Sequence, residues 1–350
     1  MVSLYEQDRE PNLFLSGFFQ SPEENFFNSE EIEFDVQRSG EDVAIPVRDI
    51  STGANILTLD SYTNKSFKPP VYKDKFALNA YKLLERRAGE NPFENADFMS
   101  KALREAFRGV RKLESIYARA LELQASLVLT TGTATLTDED GAQRFTIDYQ
   151  PKATHFPTAG TAWDQASPTI ADNIISLCDV IREDGLADPD LMIMGSGSFE
   201  AMAQDSDIQS RLDTRRLDMG NISPMNDPMG RGGKYRGTLD FGDHRLDVWT
   251  YAGRYSAPNG GASTRFIGDD KVIIMSSGGR LDAFFGGVPL FPGEPALMGL
   301  PDRIATPGGR DINMNSWVTE NREHLFVQAS MRPLLVPTAI DTFGCLDTGI

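Results

Sequence analysis

The chain has little cysteine and little histidine: two of the first, Cys178 and Cys345, and three of the second, His155, His244 and His324. Two thiols cannot build a disulfide framework. Cys178 lies within the apolar periodicity of a predicted helix, so both are expected as unpaired core thiols. The histidines stand far apart with no ligand-like spacing, which leaves no zinc motif. Each is expected as a surface or hydrogen-bonded structural residue. No run of about 18 apolar residues occurs, so no membrane-spanning helix is expected. The N-terminal "MVSLYEQDREPNLFL" lacks the basic and apolar regions of a signal peptide, and the expectation is a protein made and kept in a cytoplasm. Basic residues are short as well, with 34 Lys and Arg against 51 Asp and Glu, a net charge of −17. That balance argues against an extended nucleic-acid-binding surface, which needs a dominant basic face.

What is present is ordinary globular composition, 40% hydrophobic and 24% charged over 350 residues. Wholesale disorder is thereby set aside, and one to three domains are expected. Residues 1–30 read as an arm: Phe14, Phe18, Phe19, Phe26 and Phe27 stand among polar residues, with Pro11 and Pro22 blocking a long helix. Two readings stay open, a terminal segment folded onto its own domain or an arm anchored on a neighbouring subunit. "EIEFDVQRSGEDVAIPV" (31–47) alternates Ile32, Phe34 and Val36 and predicts a hairpin about its Ser-Gly turn. From Arg48 to about Lys75 the chain is polar and weakly patterned, a long excursion of the kind that is usually functional or partner-bound.

A rod follows. Capped by Asn95 or Asp97, a helix over 95–129 places Phe98, Leu103, Phe107, Val110, Leu113, Tyr117, Leu121, Gln124 and Val128 on one stripe. Arg104, Glu105, Arg108, Arg111, Lys112, Glu114, Arg119 and Glu122 are expected on the other face. One stripe is too narrow for a helix buried all round, so the rod reads as a surface-lying spine. It runs with no Pro and no evident stop into a hairpin turning at Asp140-Gly141. An α/β region comes after it. A helix over 168–184 carries Ile170, Ile174, Leu177 and Ile181 on one face, and "DLMIMG" (190–195) is a short buried strand. A second helix has Ser198 as its expected N-cap. Strands are expected at "HRLDVWTYAGRY", "TRFIG" and "KVIIMSS", a long Gly- and Pro-rich loop over 286–311, and a closing strand pair around a polar turn.

Chemistry is sparse. "GSGSF" (195–199) sits between strand and helix but lacks the third Gly of a dinucleotide loop and the Lys of a phosphate loop. "TDEDG" lacks calcium-loop spacing and is expected as a turn. No G-x-S-x-G supports a serine nucleophile, although triads assemble from distant positions. One basic group stands out: Arg211, Arg215 and Arg216, then Arg231, Lys234 and Arg236. It reads either as ion pairing within the fold or as pairing with acidic faces of neighbouring subunits, with DNA contact a third reading.

The order of arm, strand, polar loop, spine helix, hairpin and α/β region resembles the major capsid proteins of tailed phages, and more closely the lambda-type major head protein family. The blocks that carry it are "LFLSGFF" (13–19), "SRLDTRR" (210–216), "YRGTLDFGDHRLDVWTYAGRY" (235–255), "FIGDDKVIIMSS" (266–277) and "SWVTENREHLFVQASMRPLLV" (316–336). The resemblance covers nearly the whole chain. It implies an α+β, Hong Kong 97-type fold, with 1–30 the N-arm, 31–47 a strand region of the P-domain and 48–80 the extended E-loop. Residues 81–165 would form the P-domain with the spine and hairpin, and 166–309 the A-domain. Residues 310–332 would be strands returning to the P-domain, and 333–350 a tail placed with the A-domain.

The same resemblance implies a self-assembling shell subunit, without enzymatic activity or cofactor, in pentamers and hexamers around double-stranded DNA. Its expected partners are further copies of itself, a scaffolding protein, a portal protein and a decoration protein at three-fold positions, with DNA contacted on the inner face without sequence reading. Subunit contacts would involve the arm phenylalanines, Lys65, Phe67 and Lys68 of the E-loop, and the basic group. Lys65, Lys68 and Lys73 lie where some members of the fold crosslink, but the lambda-type resemblance implies non-covalent reinforcement. An encapsulin-like compartment shell and an α/β hydrolase built on Ser198 are the alternatives.

Overall fold

The alternation of Ile32, Phe34 and Val36 forms a strand, but its partner is not the next stretch of sequence. In the computed structural model, which describes residues 14–22, 25–26, 32–37, 62–84, 98–137, 143–211, 232–256, 262–288 and 312–350, β1 (Ile32–Gln37) pairs antiparallel with β2 (Tyr62–Phe67), Phe34 opposite Lys65. The turn and second half of the hairpin expected within 31–47 fall in residues 38–61, which lie outside the described residues. Within the stretch expected as an excursion to about Lys75, β3 (Tyr72–Asn79) is an edge strand of a sheet among the described residues. Its Lys73 and Lys75 mask the pattern, as lysines on edge strands do.

After α1 (Ala80–Leu84) comes the rod, α2 (Phe98–Thr131), whose 34 residues reach about 51 Å at 1.5 Å each. Asn95 and Asp97, the expected caps, lie outside the described residues. The helix does have a stop. Gly132 takes the left-handed conformation, φ 64°, and its N–H returns to the Val128 carbonyl at 2.9 Å. A Cβ there would come within 2.5 Å of Pro151, so glycine is required twice over. The hairpin of β4 (Thr133–Thr137) and β5 (Gln143–Asp148) follows directly.

The rod is a surface helix for only half its length. Ala102, Ala106, Leu113 and Tyr117 bury one stripe, whereas Phe98 and Phe107, expected on it, are exposed. Small residues hold the core side because the sheet comes close: a Cβ on Gly109 would lie 2.2 Å from the Phe76 ring. Beyond Leu121 the helix is buried nearly all round, through Glu122, Gln124, Ala125, Ser126, Val128 and Leu129. Glu122, expected on the solvent face, is fully buried.

The α/β region runs α3 (Ile170–Gly185), β6 (Leu191–Met194), α4 (Ser196–Gln204), α5 (Ser206–Arg211), β7 (Gly233–Asp240), β8 (Arg245–Tyr251), β9 (Arg254–Ser256), β10 (Ser263–Arg265), β11 (Lys271–Met275) and β12 (Asp282–Phe285). The chain closes with β13 (Asn313–Val318), β14 (His324–Met331), β15 (Pro333–Val336) and β16 (Phe343–Asp347). A five-stranded sheet, order β16–β11–β6–β8–β7, pairs β6 and β8 in parallel and the rest antiparallel. Alternation along β11 sends Val272 and Ile274 into a core with Ile170, Ile174, Leu177 and Ile181 of α3. Ile273 and Met275 face the other way, into a core shared with Val128 and Leu129 of the rod. A second sheet, β13–β14–β3, carries the first half of the rod on one face. Between them the short pair β12–β15 is buried at every residue.

Candidate assembly surfaces

One tyrosine joins the rod to the β13–β14–β3 sheet. The buried Tyr117 hydroxyl donates to the Ala329 carbonyl at 2.8 Å and accepts the Asp74 N–H at 3.0 Å. Burial, and then the charge of Asp74, push that hydroxyl's pKa far above the usual phenol value. Nine residues further along the rod, Ser126 Oγ donates to the Phe266 carbonyl. The rod is therefore fixed at two points along one core, to the β13–β14–β3 sheet and to the backbone at Phe266, and the hairpin follows it directly.

The N-terminal segment lies against the same rod. Phe14 is 1% exposed, stacked on Tyr251 at 5.4 Å and edge-on to Phe18 at the same distance, with Trp249 beside it. A Cβ on Gly233 would touch its ring at 2.4 Å. The N–H groups of Leu15 and Ser16 donate to the two carboxylate oxygens of Glu122 at 2.8 and 2.9 Å. Gln20 and Phe26 then form parallel bridges to Asp282 and Phe285, the two ends of β12, and Phe26 stacks on Phe285 at 5.2 Å. Asp282, 2% exposed, accepts hydrogen bonds from Asn25, Arg280 and Thr338.

The opposite face of the β13–β14–β3 sheet is open. Trp317, 37% exposed, stacks on its cross-strand partner Phe326 at 5.5 Å, and Lys75 sits over the same ring at 5.4 Å. Val318 is exposed beside it, and along the rod Phe98, Met99 and Phe107 are exposed too. Apolar groups left on several elements at once are what an associating subunit presents.

The sequence model of a family described as phage major capsid protein E matches residues 4–344. The chain belongs to this family. Its fold is the α+β phage capsid fold. A prophage capsid protein of E. coli CFT073 is 19% identical, with TM-score 0.60, over 82% of this chain and 79% of that one. The capsid of cyanophage P-SCSP1u gives 7% and 0.52 over 99% and 90%, and the capsid of a native GTA particle 10% and 0.51 over 99% and 93%. No curated protein matches the sequence. The chain is thus a major capsid protein of a tailed phage and a component of the virion. Its work is association with further copies of itself.

Among the expected contact residues of this capsid protein, Phe14 and Phe19 have places within the chain itself. Both are buried in the chain's own core, with Phe18 and Phe26 half-buried against it, so as folded they anchor the arm at home. A short aromatic-rich segment gives no sequence sign of which copy it packs on. Phe27, Arg215, Arg216 and Arg231 lie outside the described residues. Lys65 and Phe67 are on β2, and Lys68, just after it, is exposed. Arg211 ends α5. Lys234 and Arg236 are exposed on β7; Arg236 Nε donates to Thr250 Oγ1 at 2.9 Å, and its guanidinium lies 4.8 Å from the centre of the Phe199 ring.

The residues considered for chemistry are used by the fold. Helix α4 begins at Ser196 after Gly195, so Ser198 is not its N-cap; its Oγ donates to the Asp269 carbonyl at 2.7 Å in a fully buried position. Gly195 is required there, because a Cβ would come within 2.2 Å of the Gly268 carbonyl. His155 contacts the Phe343 carbonyl at 2.9 Å and Asp184 at 3.2 Å, and His244 contacts Asp179 at 2.8 Å; both rings are buried. Cys178 and Cys345 are free and buried, and burial pushes both thiols up to about 12. Among the described residues no group of His, Cys, Asp and Glu could hold a metal, and no helix is long and apolar enough to cross a membrane.

Sequence reasoning missed Glu122. The signal was available: in "ALELQASLVL" apolar residues point in every direction around the helix, which marks a rod buried all round.

Proposed function

We propose that this capsid protein assembles into hexamers and pentamers of an icosahedral shell that encloses double-stranded DNA and expands on maturation. The observation that carries the reading is the rod, tied by Tyr117 to the β13–β14–β3 sheet and by Ser126 to the Phe266 carbonyl, with exposed aromatic groups on the rod and on that sheet. Such a subunit is stiff along one axis and leaves apolar surface for copies to cover. Many modest contacts, repeated around a closed shell, then hold together by multivalency. The net charge of −17 suits a wall that does not bind its contents.

In this reading the contacts are made by Lys65, Phe67 and Lys68 near the β1–β2 ribbon and by Phe27. The basic group Arg211, Arg215, Arg216, Arg231, Lys234 and Arg236 contributes as well. Assembly takes place in the host bacterial cytoplasm with a scaffolding protein, a portal protein and a decoration protein at three-fold positions. Native mass spectrometry of the purified subunit, at rising concentration, tests the capsomer assignment. Pentamers and hexamers support it; a series that stops at dimers contradicts it.

A further inference from the structure

The N-terminal segment is tied to the rod through one buried carboxylate. Residues 14–19 form a single 3-10 turn, Ser16–Phe18, and no side chain caps it. Its start is fixed by two N–H bonds to Glu122, a fully buried carboxylate more than 100 positions along the chain. The carboxylate also has the Tyr251 hydroxyl beside it, the residue on which Phe14 stacks. Past this point the segment meets β12 through isolated bridges at Gln20 and Phe26, the Asn25–Asp282 hydrogen bond and the Phe26–Phe285 stack. A buried carboxyl group whose hydrogen-bond donors sit on a separable segment is left unsatisfied once the segment leaves. It is also a strong acceptor while the segment stays.

We propose that Glu122 is a latch: its carboxylate fastens residues 14–19 onto the rod, and loss of that charge frees the N-terminal segment while the subunit stays folded. Phe14, Leu15 and Phe19 line one side of the core shared by α2, β8, β11 and β14, whereas the core between α3 and the five-stranded sheet contains no residue of the segment. Phe14 is the matching plug, seated on Trp249 and Tyr251 against Gly233. One subunit thus has two states of its arm, docked at home or released with its phenylalanines available to another copy. This goes beyond the capsomer assignment and does not depend on it.

The test is hydrogen exchange on the full chain as unassembled subunit, comparing wild type with Glu122→Gln. The glutamine keeps the size and one acceptor but loses the charge. Expected is about ten- to hundredfold faster exchange at Leu15 and Ser16, the range for losing hydrogen bonds to a charged group, with α3 and the five-stranded sheet unchanged. Phe14→Ser, which leaves the rod intact, should release the same residues and no others. Unchanged protection at Leu15 and Ser16 in both variants would overturn the latch. So would loss of protection throughout the chain in both, which would make the contact part of the common core.

Discussion

The Tyr117 hydroxyl donates to the Ala329 carbonyl at 2.8 Å, across 212 positions of sequence, and takes the N–H of Asp74 at 3.0 Å. Asp74 and Ala329 are themselves register partners on β3 and β14, so one hydroxyl spans a strand pair and fixes the rod to it. Tyr117→Phe removes both bonds and leaves the ring. Subunit stability is expected to fall by about 1–3 kcal/mol, the cost of leaving buried partners unsatisfied. Urea unfolding of the unassembled subunit measures it, and an unchanged midpoint would show that the bolt carries no stability.

Gln124, one turn before Val128, makes the opposite prediction. It is fully buried, and neither atom of its side-chain amide has a hydrogen-bond partner among the described residues. Gln124→Leu, close in size, is expected to stabilise the subunit by about 1–3 kcal/mol, by removing a desolvated amide. Thermal unfolding checks the sign. A destabilised variant would mean that the amide is satisfied in solution.

Asp184 gives a pH dependence. The hydrogen bond from Lys152 comes first among the causes that hold its carboxyl below the usual range; partial burial opposes it, and His155 adds to it. A folded-state pKa below the unfolded one contributes stability that is present above the unfolded value and is lost as pH falls through the folded one. Asp184→Asn should therefore be less stable than wild type at neutral pH. The gap should shrink below the ordinary carboxylate range and close at still lower pH. Urea midpoints at a series of pH values would show this, and a gap that widens on acidification would reverse the assignment.

Arg215 and Arg216 test the basic group. With Arg215→Glu and Arg216→Glu together, the concentration needed for assembly is expected to rise about tenfold or more through loss of charge complementarity between copies. The melting temperature of the free subunit should stay within a degree or two. Light scattering and calorimetry separate the two effects. Equal losses in subunit and assembly would place these arginines in pairs within the chain.

What the sequence made legible was whatever buries a single periodic face. Ile170, Ile174, Leu177 and Ile181 line α3 as their spacing requires, and "LMIM" and "KVIIM" are adjacent strands of one sheet. Elements whose partners lie far along the chain were harder. β1 alternates properly, yet nothing near it in sequence points to β2, and the short buried strands β12 and β15 carry no alternation to read. The rod was found, but its second half was misread because Glu122 was assigned to a solvent face by its charge, although the apolar residues around it point in every direction. The arm was the deepest ambiguity. Phe14 looks the same in sequence whether it fills a pocket on its own chain or on another, and only the close approach of Gly233 and the Glu122 cradle decide where it sits in the subunit.

The account rests on a subunit built to join copies of itself into a closed shell. Electron microscopy of the protein expressed with and without the proposed scaffolding protein, with sedimentation alongside, tests that most directly. Closed shells of uniform size, or sheets and tubes of hexamers, are the predicted product. A subunit that sediments as a monomer at every concentration, scaffold present, would contradict it.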